Sequence, residues 1–151
     1  MHGSSAEDKS LPFHIRPMTI EDYDDAVELW RQTEGMGLHD REDSREGIND
    51  FLFRNPGLSL AAEVNGMLVG TVMCGYDGRR GNLYHLAVSA EYRGLGIGRS
   101  LVNESLRRLS EAGIIKCNVM VYADNKLGQA FWDNIDWHTR SDLVLMQRDA
   151  L

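Results

Sequence analysis

The sequence predicts an α/β (α+β) fold, with a mixed central sheet of about six to seven strands and helices on both faces. Three observations carry this. Asn65-Gly66 separates two β-rich apolar runs, the strongest short hairpin signal. A glycine-rich turn, Arg93-Gly94-Leu95-Gly96-Ile97-Gly98-Arg99, joins a short strand to a helix of 3.6-residue apolar period. A further strand follows that helix. Antiparallel hairpins succeeded by a strand–helix–strand crossover give a mixed sheet flanked by helices.

His14-Ile15-Arg16 begins the first strand and Pro17 ends it. Thr19 caps a helix whose apolar stripe is Tyr23, Ala26, Val27 and Trp30; Asp22, Asp24 and Asp25 read as a solvated helix start, where acids suit the dipole. Glu34 to Asp43 is a polar loop. Ser44 caps a second helix with Ile48, Phe51 and Leu52 inward, stopped by Asn55-Pro56-Gly57. Leu58 to Val64 and Met67 to Cys74 are the hairpin strands, and Asp77-Gly78 leads into a fourth strand ending at Val88. The central helix buries Ile97, Leu101, Val102, Leu106 and Leu109 and stops at Gly113. Ile115 to Tyr122 is a strand with Ile115, Cys117, Val119 and Val121 on one face. A helix through Phe131 and Trp132 follows Asp124-Asn125, and Thr139 to Arg148 supplies a last strand. Residues 1–11 are polar and expected to be disordered, leaving residues 12–151 as a single domain.

The formal net charge of −7 over 151 residues disfavours nonspecific binding to nucleic acid or anionic membranes. No apolar run approaches the roughly 18–20 residues of a membrane helix. With no signal-peptide pattern either, the expected location is cytoplasmic. Cys74 and Cys117 form no C-x-x-C and the five histidines are scattered, so neither a disulfide nor a metal site is expected. A homodimer is open to such a domain.

The glycine turn is where the chemistry is most legible. Glycines remove the side chains that would hold a ligand off, so successive amides can converge on phosphate oxygens at the positive end of the following helix. Spacing separates the families that do this. A dinucleotide loop needs G-x-G-x-x-G; from Gly94 the third glycine falls on Arg99, and from Gly96 on Leu101. A P-loop needs a lysine after its last glycine, and Arg99-Ser100 follows Gly98. What remains is R-x-x-G-x-G over Arg93, Gly96 and Gly98. It resembles the acetyl-CoA pyrophosphate loop of the GNAT superfamily of N-acetyltransferases. Leu86-Ala87-Val88 ahead of Tyr92-Arg93-Gly94 resembles that family's approach to the loop, and Asn125-x-x-Gly128-x-Ala130-x-Trp132 resembles its N-x-x-A-x-x-x-Y segment. The likeness runs from Ile15 to about Arg148. Ala62-Glu63-Val64-Asn65-Gly66, Val69-Gly70-Thr71-Val72-Met73 and Gly75-Tyr76-Asp77-Gly78-x-Arg80-Gly81 resemble the YpeA-type bacterial acetyltransferases.

The resemblance implies a GNAT fold, acetyl-CoA as co-substrate and no metal. It implies that pantetheine pairs with the main chain of the fourth strand at Leu86 and Val88, with Ala87 between them. The amides from Gly94 through Leu95, Gly96, Ile97 and Gly98 to Arg99 take the pyrophosphate. Arg93 and Arg99 add charge, Ser100 a hydroxyl, and Asn125 steadies pantetheine.

Amide formation needs a neutral amine, a held oxyanion and a leaving thiolate. A lysine amine, at about 10.4, is roughly 4–5 kcal/mol from neutral at pH 7, whereas an α-amino group near 7.7–8.0 is about one unit away. The family's acid position carries Trp132, which donates a hydrogen bond but yields no proton; Tyr122 is the substitute donor. The family's base position aligns with Asn82, which can orient a water that Tyr84 relays. Strand alternation points His85 to the opposite face from Asn82 and Tyr84, as packing. Two readings follow: a direct N-acetyltransferase acting on a small-molecule, amino-acid or peptide amine, or an acyl-CoA-binding regulatory module with little turnover.

Overall fold

A computed structural model describes residues 12–150, and the segment 1–11, expected to be disordered, lies outside the described residues. Five strands, β1 (His14–Pro17), β2 (Leu60–Val64), β3 (Met67–Tyr76), β4 (Gly81–Val88) and β5 (Cys117–Val119), lie side by side in chain order. β1 to β4 are antiparallel, and β5 runs parallel to β4. The helices are α1 (Tyr23–Arg31), α2 (Arg45–Arg54), α3 (Ile97–Glu111) and α4 (Lys126–Asn134), with short 3₁₀ turns at Ile20–Asp22 and Ala90–Tyr92. Two compact units divide the chain, one ending at Met120 and the other starting at Val121. No described helix is long and apolar enough to cross a membrane.

Local sequence explains the turns and caps. Asn65 (φ 52°) and Gly66 (φ 78°) both take positive φ, the requirement of a type I′ hairpin turn. Ser44 caps α2 by accepting from the Gly47 amide at 3.0 Å. Gly113 leaves α3 at φ 86°.

Neighbouring residues of β3 show how both faces are covered. Thr71 turns its hydroxyl to Trp30 of α1, whose Nε1 donates to it at 2.9 Å. Gly70 faces the other way, where a Cβ would come within 3.1 Å of Ile97 and 3.3 Å of Leu101 on α3. A side chain at 70 would therefore require the α3 side chains to shift by a few tenths of an ångström. On the α1 side, Ala26, Val27, Leu29, Trp30, Ile48, Met18, Ala61, Met73 and Ala87 form one buried cluster, with Tyr23, Phe51 and Leu52 against it. Each large side chain in it contributes roughly 1.5–3 kcal/mol by leaving water.

Several expectations need correction. Among the described residues there are five strands rather than six to seven, because residues 139–148 form no strand. Leu143, Val144, Leu145 and Met146 in that stretch are exposed; strand propensity is realised only against a hydrogen-bonded neighbour, and the unit after Met120 contains no described strand. β5 spans Cys117–Val119 only, so Ile115 is exposed and Tyr122 lies past the strand rather than at its end. Asp22 is not a solvated helix start. It is buried, accepts Arg16 of β1 at 2.7 and 2.9 Å and the Thr19 amide at 2.9 Å, while Arg16 also donates to Glu63 of β2 at 3.0 Å.

Burial raises the Asp22 carboxyl, but the hydrogen bonds from Arg16 and Thr19 outweigh it and hold the group below the usual carboxylate range. Asp22→Asn should lower stability at pH 7 by about 1.5–3 kcal/mol, the range for hydrogen bonds to charged groups. The depressed folded value makes this contribution complete above the unfolded value of about 3.9 and lost as pH falls below it. Urea titrations should therefore show parent and variant far apart at pH 7 and converging as pH falls through the depressed folded value. On α3, the buried Ser105 hydroxyl has no described partner. Ser105→Ala should raise stability by about 1 kcal/mol, measured as a higher thermal midpoint, since an unsatisfied buried hydroxyl is removed and a better helix former introduced.

Candidate active site

The centre of the site is a bulge in β4. Thr71 pairs with Ala87, yet Met73 pairs with Tyr84, so three steps of β4 oppose two of β3. The extra residue is absorbed at His85, which takes φ 50°, a left-handed conformation that costs a non-glycine residue roughly 1–2 kcal/mol. Contacts hold it there. The Thr71 hydroxyl donates to the His85 carbonyl at 2.9 Å, and the Trp30 and His85 rings sit 4.6 Å apart at 54°. His85 Nε2 lies 2.6 Å from Asp43 Oδ1, with both side chains largely buried. Asp43 in turn accepts the His39 amide on Oδ2 at 2.8 Å and the Tyr23 hydroxyl on its carbonyl at 2.6 Å.

The bulge overturns the alternation argument for His85. Tyr84 meets Phe51 edge-on at 5.7 Å and His85 meets Trp30; Phe51 and Trp30 belong to the same helical layer, so both β4 rings face one side. Burial, then the charge of Glu42, raises the Tyr84 phenol above its ordinary value, so it stays protonated as a donor. Asn82, paired with Gly75 two positions after Met73, shares the Tyr84 face.

The edge of β4 is the second element. Parallel pairing with β5 covers Gly81, Asn82 and Leu83 only, so from Tyr84 to Val88 no described strand occupies that side. The Ser89 amide donates to the Val69 carbonyl at 2.8 Å, which by ladder alternation turns the main-chain groups of Ala87 to β3 and those of Leu86 and Val88 to the open side. Arg93 confirms the direction by donating from Nε to the Val88 carbonyl at 3.2 Å. Ala87 itself serves packing, with its side chain in the Trp30 cluster.

The glycine turn follows directly. Gly94 (φ 82°) and Gly96 (φ 85°) are both left-handed, and Gly96 is the N-cap of α3. Among the described residues no backbone hydrogen bond engages the amides from Gly94 to Arg99; the first to be engaged is that of Ser100, which donates to the Gly96 carbonyl at 3.0 Å. Leu95 and the Arg93 and Arg99 side chains are exposed, while Ile97 and Gly98 are buried as the helix begins. A row of free amides at a helix start with two guanidinium groups alongside is suited to a diphosphate.

The unit after Met120 holds the remaining predicted residues. Asn125 caps α4, its Oδ1 accepting the Gly128 amide at 2.9 Å. A Cβ at residue 128 would fall within 2.5–3.0 Å of the Asn125 side chain, which accounts for glycine at that position. Tyr122 is 57 % exposed, and its carbonyl takes the Asn125 amide and the Gln129 side chain at 3.0 Å each. Trp132 is buried between Phe131, at 5.2 Å, and Trp137, at 4.7 Å. Burial pushes the Cys74 thiol up to about 12 and that of Cys117 to about 11, so neither offers a thiolate at neutral pH. No cluster of metal-ligating side chains occurs among the described residues.

Sequence order sets Asp43 only at the end of the polar loop Glu34 to Asp43, without its partner, and strand alternation assigns that partner, His85, to packing. The signal lay in Tyr84-His85-Leu86, but it needed the bulge to be read.

The Acetyltransferase (GNAT) family profile matches residues 23–135. An acetyltransferase of Yersinia pestis (strain Pestoides F) is 35 % identical over 134 residues, covering 89 % of this chain and 94 % of the relative. The fold is shared by a possible acetyltransferase from Clostridium difficile 630, with TM-score 0.74, 18 % identity and coverage of 92 % of this chain and 98 % of the other. It is also shared by the PaiA N-acetyltransferase of Thermoplasma acidophilum in complex with coenzyme A, with TM-score 0.71, 22 % identity and coverage of 81 % and 87 %. This chain, with its bulged fourth strand opening onto a glycine-capped helix, belongs to the GNAT family of acetyltransferases.

Proposed function

We propose that this chain is an acetyl-CoA-dependent N-acetyltransferase that transfers the acetyl group directly to a primary amine of a small molecule, an amino acid or a peptide N-terminus. One observation carries the reading: the open edge of β4 at Leu86 and Val88 runs straight into the unengaged amides from Gly94 to Arg99. An extended chain of amides matches the first, and a diphosphate matches the second. Coenzyme A has both in that order. The thioester it carries supplies an activated acetyl group and a leaving thiol of about 8.5, which departs with little help.

In this reading Leu86 and Val88 hold pantetheine by main-chain hydrogen bonds, and Arg93 and Arg99 neutralise phosphate. Asn125, whose Oδ1 is spent on capping α4, offers its Nδ2 to the cofactor. Tyr122 and Trp132 are the candidate donors toward the leaving sulfur, and Asn82 with Tyr84 orders water beside the acceptor. Absence of a ready thiolate supports transfer within a ternary complex rather than through an acyl-enzyme.

Acetyl-CoA should raise the thermal midpoint, because a ligand that binds only the native state at about 100 times its Kd adds about 2.7 kcal/mol. No shift at millimolar concentration would remove the cofactor from the account. CoA release across an amine panel then separates an enzyme from a binding module, with α-amino acceptors expected to outpace free lysine side chains at pH 7. Gly96→Ala puts a side chain at φ 85°, which should lower stability by about 1–2 kcal/mol and weaken CoA binding at least tenfold. A folded variant with parental CoA affinity, checked by circular dichroism and calorimetry, would mark the loop as structural.

A further inference from the structure

We infer that His85 is the general base of the transfer, with Asp43 as the residue that positions it. The inference rests on the acetyl-transfer reading above and names a base where the aligned position, Asn82, has none. A carboxylate only accepts hydrogen bonds, so the 2.6 Å contact to Asp43 Oδ1 places a ring hydrogen on Nε2, and in the neutral ring the lone pair is then on Nδ1. No described hydrogen bond engages Nδ1. The one sealed, unpartnered side-chain polar atom among the described residues is Ser105 Oγ, so Nδ1 is open to its surroundings rather than entombed.

Three further features separate this pair from an ordinary core histidine. His85 is held at φ 50° in the bulge, and strain of this kind persists only where surrounding contacts impose it. Its carbonyl and its ring are both fixed from α1, through Thr71 and Trp30. Its neighbour along the chain is Leu86, the first residue whose main chain faces the open β4 edge. Asp43 is equally anchored, by the His39 amide and the Tyr23 hydroxyl. A base whose ring is fixed by a carboxylate, one residue from the strand edge assigned to pantetheine, is held as a positioned proton acceptor must be.

The acceptor nitrogen attacks the thioester carbonyl carbon. A C–N bond forms, the C–S bond breaks and its electron pair leaves with sulfur. The surplus proton on nitrogen passes to Nδ1, giving imidazolium, which returns it to solvent.

The experiment compares the parent with His85→Gln, His85→Ala and Asp43→Asn, in acetyl-CoA-loaded turnover, in CoA binding and in ring ¹⁵N spectra of His85. General bases contribute typically about 10²–10⁴-fold. His85→Gln should therefore lose on the order of 100-fold in kcat with CoA affinity within threefold of the parent, and free imidazole should restore part of the rate to His85→Ala. The spectra should show hydrogen on Nε2 in the parent without any ligand, and a changed tautomer balance in Asp43→Asn. Parental kcat in His85→Gln, or hydrogen on Nδ1 in the parent, overturns this inference while leaving acetyl transfer intact. A parent that binds no CoA, or releases none with any amine, overturns the transfer reading and this inference with it.

Discussion

The Thr71 hydroxyl is the contact on which the site depends. It accepts from Trp30 Nε1 and donates to the His85 carbonyl, joining α1 to β3 and β3 to the bulge in β4 through one oxygen. Thr71 is fully buried, so its hydroxyl has no water to turn to when a partner is lost. Because the carbonyl it holds belongs to the extra residue of the bulge, the same contact ends regular pairing at that point. The other edge of β4 is unpaired beyond Leu83, so the bulge held by this contact lies just where that edge opens.

Charge is arranged around this frame with similar economy. Arg16, Asp22 and Glu63 tie β1, the turn before α1 and β2 into one group near the start of the fold. Asp43 closes the loop that precedes α2 against β4. The loops before α1 and before α2 are thus each held by an acid that strand or loop partners surround.

What could be read from residues in order was what local chemistry decides. Asn65-Gly66, the Ser44 cap, Gly113 and the glycine turn each need particular backbone angles or donors that only certain residues provide, so each announces itself. The bulge does not. It arises from cross-strand register between β3 and β4, and no residue of Tyr84-His85-Leu86 demands it alone; period-2 reasoning consequently sent His85 to the wrong face. Asp22 and Asp43 were hidden for the same reason, since their partners Arg16 and His85 are placed by the sheet. Thr139 to Arg148 erred the other way, because apolar β-rich composition states a preference that requires a neighbour to be expressed.

That last stretch bears on how the protein behaves in bulk. Leu143, Val144, Leu145 and Met146 are 61 %, 85 %, 66 % and 87 % exposed, four consecutive apolar residues without proline or charge. Short uncharged windows of this composition are templates for intermolecular β association. Asp142 on one side, and Arg148 with Asp149 on the other, stand as gatekeepers that interrupt it. A net charge of −7 adds repulsion between molecules that opposes such association, and this repulsion weakens as salt screens it or as pH approaches neutrality of the whole chain.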